Sequence, residues 1–177
     1  MNPQDVLKFW FELSQEQQFG KDEKFDELIR TRFGAVFEMA AAGELAEWRK
    51  TTEGRLAEII LLDQFSRNLF RNHPRSFAAD PQALTLAQEM VLLGLDKEIP
   101  IHQRGFVYMP YMHSESLKVH EDAVKLFSQT GLENNLKFEH MHLDIIKKFG
   151  RYPHRNKVLG RESTAAEIEF LKGPNSG

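Results

Sequence analysis

Helical punctuation runs through this chain almost from end to end, and nowhere do apolar and polar residues alternate long enough to build a sheet. Asn2 before Pro3 reads as a helix start, followed by Val6, Leu7, Phe9, Trp10 and Phe11 as apolar content. A second helix opens near Asp22, carries Phe25, Leu28, Ile29, Phe33, Val36 and Phe37, and ends in the Ala40-Ala41-Ala42-Gly43 run. A short helical piece follows around Leu45 to Trp48. The third long helix runs from Thr52 to about Phe70, and its Ile59-Ile60-Leu61-Leu62 stretch is apolar all round, which predicts central burial. Asp80-Pro81 marks another start and Gly94 a stop. Further helices are expected over 102–111, Ser114 to Ser128, and Glu133 to Phe149 with Gly150 as terminator. Thr164 and Glu167 form a capping-box pattern before Ile168, Phe170 and Leu171.

The expected fold is therefore all-α, roughly eight helices paired antiparallel in a tetratricopeptide-like array or a compact bundle. No repeat of fixed period is visible. A single domain is expected over residues 1–172, with a disordered tail over 173–177.

The chain has no cysteine, which excludes a disulfide framework, a thiolate metal site and a thiol nucleophile. No stretch approaches the roughly 20 apolar residues that span a bilayer. Met1-Asn2-Pro3-Gln4-Asp5 lacks the basic-then-apolar order of a secretory signal. A soluble, cytoplasmic protein that does not engage membranes is the expectation. The net charge is −3, and the absence of a basic face argues against nucleic-acid binding.

Two short segments break the acidic background. Asp63 to Arg75 carries Arg67, Arg71 and Arg75 against one acid. Residues 151–162 carry Arg151, Arg155, Lys157 and Arg161, again against one acid. Guanidinium groups beside His and Asn suit planar anions, because each offers a rigid fork of donors. In the first segment Asp63 continues the apolar face of Leu56, Ile59 and Ile60, with Arg67 one turn on and Arg71 a turn beyond. An acid on such a stripe needs a partner, and Arg67 at i+4 is available. Either this pair only anchors the helix, or Asp63 orients an arginine that holds a ligand. The second segment sits in a loop stiffened by Gly150, Pro153 and Gly160 and presents Arg151, His154, Arg155, Asn156 and Arg161. A rigid loop of this kind can hold an anion at small entropic cost.

Histidines supply the candidate acid–base groups. His113, Leu117, His120, Val124 and Phe127 share one helical stripe. His140 and Asp144 stand at i, i+4, where a carboxylate can fix one imidazole tautomer. His113 with Glu115 is the other candidate catalytic pair, placed at a predicted helix start whose free N–H groups can also meet an anion. His142 lies among Phe138, Met141 and Ile145. No His-Glu-x-x-His or other paired metal spacing is present, so no metal is expected. The phosphate-cradling loop, the dinucleotide fingerprint and the Gly-x-Ser-x-Gly elbow are also missing, and no cofactor is expected.

Four ordered motifs carry a family resemblance across almost the whole chain. They are Leu61-Leu62-Asp63-Gln64-Phe65-Ser66-Arg67-Asn68-Leu69-Phe70-Arg71, then Phe77-Ala78-Ala79-Asp80, then Met109-Pro110-Tyr111-Met112-His113-Ser114-Glu115. The last is Phe149-Gly150-Arg151-Tyr152-Pro153-His154-Arg155-Asn156 with Leu159-Gly160-Arg161-Glu162-Ser163-Thr164. Together they resemble the bacterial family catalogued as domain of unknown function 924, many of whose members have Pro where this chain has Ser66. The resemblance implies an all-helical, tetratricopeptide-like fold and a soluble bacterial protein, and it brings no activity, substrate or cofactor.

Three functions compete on these residues. The first is a binding module for an anionic small molecule or acidic peptide, with Asp63, Arg67, Asn68, Arg71, Arg151, His154, Arg155, Asn156 and Arg161 lining the cleft. The second is a scaffold whose Arg–Asp motifs only stabilise the fold and whose surfaces serve a partner or a homo-oligomer. The third is an enzyme on a small anionic substrate, with His140–Asp144 or His113–Glu115 as acid and base. Binding and catalysis both require the two cationic segments to meet.

Overall fold

The computed structural model describes residues 1–176, in which helices alternate with turns and no strand occurs among the described residues. In chain order the helices are α1 (Pro3–Phe11), α2 (Gln15–Phe19), α3 (Glu23–Ala41), α4 (Thr52–Ile60), α5 (Ser66–Leu69) and α6 (Arg75–Ala78). They continue as α7 (Asp80–Leu92), α8 (Ile101–Met112), α9 (Leu117–Phe127), α10 (Glu133–Phe149), α11 (Asn156–Leu159) and α12 (Ala165–Leu171). Local chemistry sets several of the starts. Asn2 accepts from the Asp5 amide while the Asp5 carboxylate accepts from Asn2 N, with Pro3 in the first turn. Thr164 and Glu167 close the same reciprocal box on α12, as their spacing predicts.

The third predicted helix is α4 and α5 joined through one π-helical turn, Leu61–Phe65. Leu56, Ala57, Ile59, Ile60, Leu61, Leu62 and Phe65 have no exposed surface, and α1, α3, α7 and α8 pack around this segment. Each buried Leu or Ile contributes about 1.5–3 kcal/mol, so such a run makes this helix the axis of the fold. Aromatic rings fill the space between α1, α3 and the axis. Centroids lie 4.7 Å apart for Phe9–Phe33, 4.9 Å for Phe33–Phe65 and 5.5 Å for Trp10–Phe65. Arg49 forks onto the buried Glu58 with both bonds at 2.7 Å and ties the preceding turn to α4.

The π turn is absent from a simple helical reading. It adds about one residue to the α-register, so side chains beyond it are rotated by about 100° relative to an uninterrupted helix. Asp63 and Gln64 lie inside this turn and are both buried. A second difference falls after α8. Residues 114–116 do not open the next helix: His113 caps α8, Ser114 Oγ accepts from Ser116 N at 3.1 Å, and α9 begins at Leu117. The third lies after α10, where Gly150 (φ 71°) stops the helix in the left-handed conformation that favours glycine. The expected loop then folds into a 3₁₀ turn, Pro153–Arg155, and α11.

Beyond α12 the chain turns over residues 173–175, and Ser176 Oγ donates to the Leu171 carbonyl at 3.4 Å. Gly177, the last residue of the expected tail, lies outside the described residues. No helix among the described residues is long and apolar enough to cross a membrane.

Candidate functional site

Both cationic segments reach the break between α8 and α9. Asp80, the first residue of α7, accepts a fork from Arg67, with Nη1–Oδ1 2.9 Å and Nη2–Oδ2 3.0 Å. Arg155, from the 3₁₀ turn, brings its Nη1 to 3.4 Å from the same Oδ2. The Phe77 ring lies against both guanidinium groups, 5.4 Å from Arg67 and 4.5 Å from Arg155. One carboxylate and one ring therefore hold together two cations that would otherwise repel. The start of α7 is also a favourable place for that carboxylate, because the helix dipole points its positive end there.

His113 completes the cluster from the end of α8. Its Nδ1 is 2.7 Å from Asp63 Oδ1, and Arg155 Nη2 donates to the His113 carbonyl at 2.9 Å. The other Asp63 oxygen accepts from Gln64 Nε2 at 2.7 Å. Burial alone pushes the Asp63 carboxyl up, but His113 and then Arg67 outweigh it and hold the group below the usual carboxylate range. An ionised carboxylate only accepts, so Nδ1 is the donor and the lone pair of the neutral ring falls on Nε2. Nε2 has no hydrogen-bond partner among the described residues, and 14% of the side chain stays exposed.

Residues 6–175 match the model of a family of bacterial proteins of unknown function, DUF924. The chain belongs to that family. Among solved structures it is similar to a protein of unknown function, ATU0120, from Agrobacterium tumefaciens, with 36% identity, 97% of each chain covered and a TM-score of 0.92. No curated protein matches it.

In this DUF924 protein Tyr152 forms the floor beside Arg155. The guanidinium carbon of Arg155 is 4.9 Å from the Tyr152 ring centroid, and the rings of His142 and His154 lie 5.7 and 5.6 Å from it. Burial, reinforced by the Arg155 charge, pushes His142 down to about 4, against the pull of its bond to the Phe138 carbonyl. His154 is driven to about 4 by desolvation and by Arg155, yet more than a third of the residue is exposed, so water moderates that fall. Below Tyr152, His120 and Glu139 form a pair with no exposed surface, Nδ1–Oε1 2.6 Å, and His120 Nε2 donates to the Ser114 carbonyl at 2.7 Å. Among the described residues no group of three or more His, Cys, Asp or Glu is placed to hold a metal ion.

The other predicted site residues lie elsewhere in the network. Asn68 and Arg71 both turn to Asp26 on α3, with bonds of 2.9, 2.6 and 2.7 Å. Arg151 forks onto Glu167 at 2.8 and 3.0 Å, and Asn156 Nδ2 donates to Ser163 and Glu167. Arg161 reaches Glu115 with two bonds of 2.9 Å and also donates to the Tyr152 carbonyl and Asn156 Oδ1. Glu115 accepts from Tyr152 N at 2.8 Å as well, so it clamps the Arg155 turn and does not pair with His113. His140 and Asp144 are exposed and share no hydrogen bond with each other among the described residues. The buried face of α10 is Glu139, Leu143 and Ile146, which leaves both of them on the solvent side.

Four members of the cluster escape a sequence reading. Asp80 reads as a helix-start acid, Tyr152 as part of the loop and His142 as an apolar-face histidine, while Phe77 has no reading beyond its motif. The only available signal was that Phe77, Asp80 and Tyr152 all fall inside the four family motifs.

Proposed function

We propose that this site is an acid–base centre acting on a small molecule with an anionic group. His113 takes or gives a proton through Nε2, Asp63 fixes the ring, and the arginines beside it hold the negative group. The observation that carries this reading is the 2.7 Å bond between His113 Nδ1 and the buried Asp63 carboxylate. A surface histidine needs no such partner. Burying a carboxylate is destabilising unless it is paired, and the partners that offset the cost at Asp63, among them His113, also fix the imidazole in one tautomer. The π turn that carries Asp63 supports the same reading, since such turns are frequent at functional sites.

Wild-type protein should turn over one or more compounds in a screen of small carboxylates and phosphates that carry a removable proton or a hydrolysable bond. In His113→Gln that turnover is expected to fall about 10²–10⁴-fold, the usual share of a positioned acid or base. Its melting temperature should stay within a few degrees of wild type. Equal turnover by wild type and H113Q sinks the reading. Ligand-dependent heat protection without turnover of any bound compound leaves a binding module in its place.

The scaffold reading applies to part of the two segments. Asn68, Arg71, Arg151, Asn156 and Arg161 all make short bonds to carboxylates or backbone and join one element to another. We assign them to the fold.

A further inference from the structure

Counting donors separates the two arginines that flank His113. Arg67 makes three short bonds: Nη1 donates to the Asp63 carbonyl at 2.6 Å and to Asp80 Oδ1 at 2.9 Å, and Nη2 donates to Asp80 Oδ2 at 3.0 Å. Arg155 makes one. Its Nη2 donates to the His113 carbonyl at 2.9 Å, but Nη1 has only a loose 3.4 Å contact with an oxygen already taken by Arg67. Its Nε has no partner among the described residues, although only 6% of the residue is exposed. Arginine is almost never buried so deeply unless paired, and a bare buried donor is destabilising, most of all on a charged group. The contrast with Arg71, Arg151 and Arg161 is sharp, because in each of those Nε is bonded.

We propose that Arg155 is the anchor for a single carboxylate of the ligand, and that its bare Nε is the donor this carboxylate completes. The inference rests on the acid–base reading of His113 and names the ligand class for that site. Since Nε lies beneath the surface, binding is an exchange. Arg155 gives up its loose contact with Asp80 and turns Nε to the incoming oxygen, while Arg67 keeps Asp80 in place.

Charge balance selects a monoanion. Arg67 and Arg155 are offset by Asp63 and Asp80, and Glu115 is taken by Arg161. The remaining groups facing the cluster are His113, His142, His154 and the Tyr152 ring. His142 and His154 are neutral near pH 7, so they supply no cation for a second negative charge. A monoanion becomes balanced once His113 accepts a proton. A phosphate monoester, at about −1.5 to −2 near pH 7, does not. The rings of Phe77 and Tyr152, 4.5 and 4.9 Å from the Arg155 guanidinium, also favour an organic carboxylate with an apolar or aromatic body.

The test is a titration of the wild-type protein at pH 7 with acetate, benzoate or inorganic phosphate, at ionic strength matched with chloride, followed through arginine Nε–H resonances. The Arg155 resonance, assigned by its loss in Arg155→Lys, is expected to move saturably with both carboxylates and further with benzoate. Those of Arg71, Arg151 and Arg161 are expected to stay in place. Melting temperature should rise with carboxylate in wild type and, by less, in H113Q, which cannot take up the balancing proton, but not in Arg155→Gln. A larger saturable response to phosphate overturns the proposal, as does a carboxylate response that survives in R155Q. No carboxylate response in wild type also overturns it, and leaves the acid–base reading to be judged by H113Q turnover. A carboxylate response without turnover of any compound keeps the anchor and sinks the chemistry. Should R155Q fail to fold, the wild-type titration decides alone.

Discussion

At Asp26, Arg71 forks onto both carboxylate oxygens and Asn68 adds a third bond, all at 2.9 Å or less. At Asp80, Arg67 takes both oxygens, Arg155 is left with a 3.4 Å contact, and its Nε bonds to nothing. Each corner is an aspartate that accepts a fork from one arginine of the first cationic segment: Arg71, just past α5, at Asp26, and Arg67, within α5, at Asp80. What separates them is completeness. A satisfied network holds α3 to α5, while an unsatisfied one leaves buried donor capacity next to an oriented histidine. Residue type alone does not distinguish a structural arginine from a functional one; the inventory of partners does.

The difference can be broken by mutation, and the largest effect belongs to the complete corner. Asp26→Ala leaves Arg71 and Asn68 around a vacated carboxylate and is expected to cost about 3–5 kcal/mol in a denaturant melt. A loss under 1 kcal/mol contradicts the view that this corner is structural. Glu115→Ala comes next. It releases Arg161 and the Tyr152 amide together, and hydrogen bonds to a charged group contribute about 1.5–3 kcal/mol. Besides lower stability, it should increase hydrogen exchange at Tyr152 and Arg155 before the amides of α4 respond.

Arg155→Met sharpens the comparison from the other side. Replacing an incompletely paired buried cation with an apolar chain of similar length should change stability by no more than about 1 kcal/mol, and can raise it. The same exchange at Arg71 should lower stability clearly, because Asp26 would lose its fork. Equal losses for R155M and R71M in parallel melts would erase the distinction between the corners.

The smallest effect is the acid response. A folded-state pKa near 4 for His142, below its ordinary 6.5, means the unfolded chain binds the extra proton first as pH falls. The contribution of neutral His142 is therefore fully present above about 6.5 and is lost between about 6.5 and 4. His142→Gln should flatten the stability–pH curve in that window, and an unchanged slope would show that His142 titrates normally.

How much of this was legible beforehand depends on the distance over which residues act. The helices could be read because their signals are local: Asn2-Pro3, the Thr164–Glu167 box and Gly150 each act within a turn or two. Burial of the axial helix was legible from Ile59 to Leu62 for the same reason. The π turn was not, since it arises where Asp63 and Gln64 are packed on all sides. The site was half legible. Asp63, Arg67, His113, His154 and Arg155 gather there, and the i+4 approach of Arg67 to Asp63 was readable, at 3.8 Å, but the closer partners were missed because those pairs join residues far apart in sequence. His113 meets Asp63 across 50 positions, and Glu115 meets Arg161 across 46. His140–Asp144 has ideal spacing, yet α10 turns its Glu139–Leu143–Ile146 face inward and leaves that pair in water.

The tautomer of His113, read from its ring nitrogens by ¹⁵N NMR in the neutral form, tests the central claim most directly. The account predicts a proton on Nδ1, held by Asp63, with an unprotonated Nε2, and a shift towards the other tautomer in Asp63→Asn. A wild-type ring protonated on Nε2, or a pattern that Asp63→Asn leaves unchanged, would contradict it.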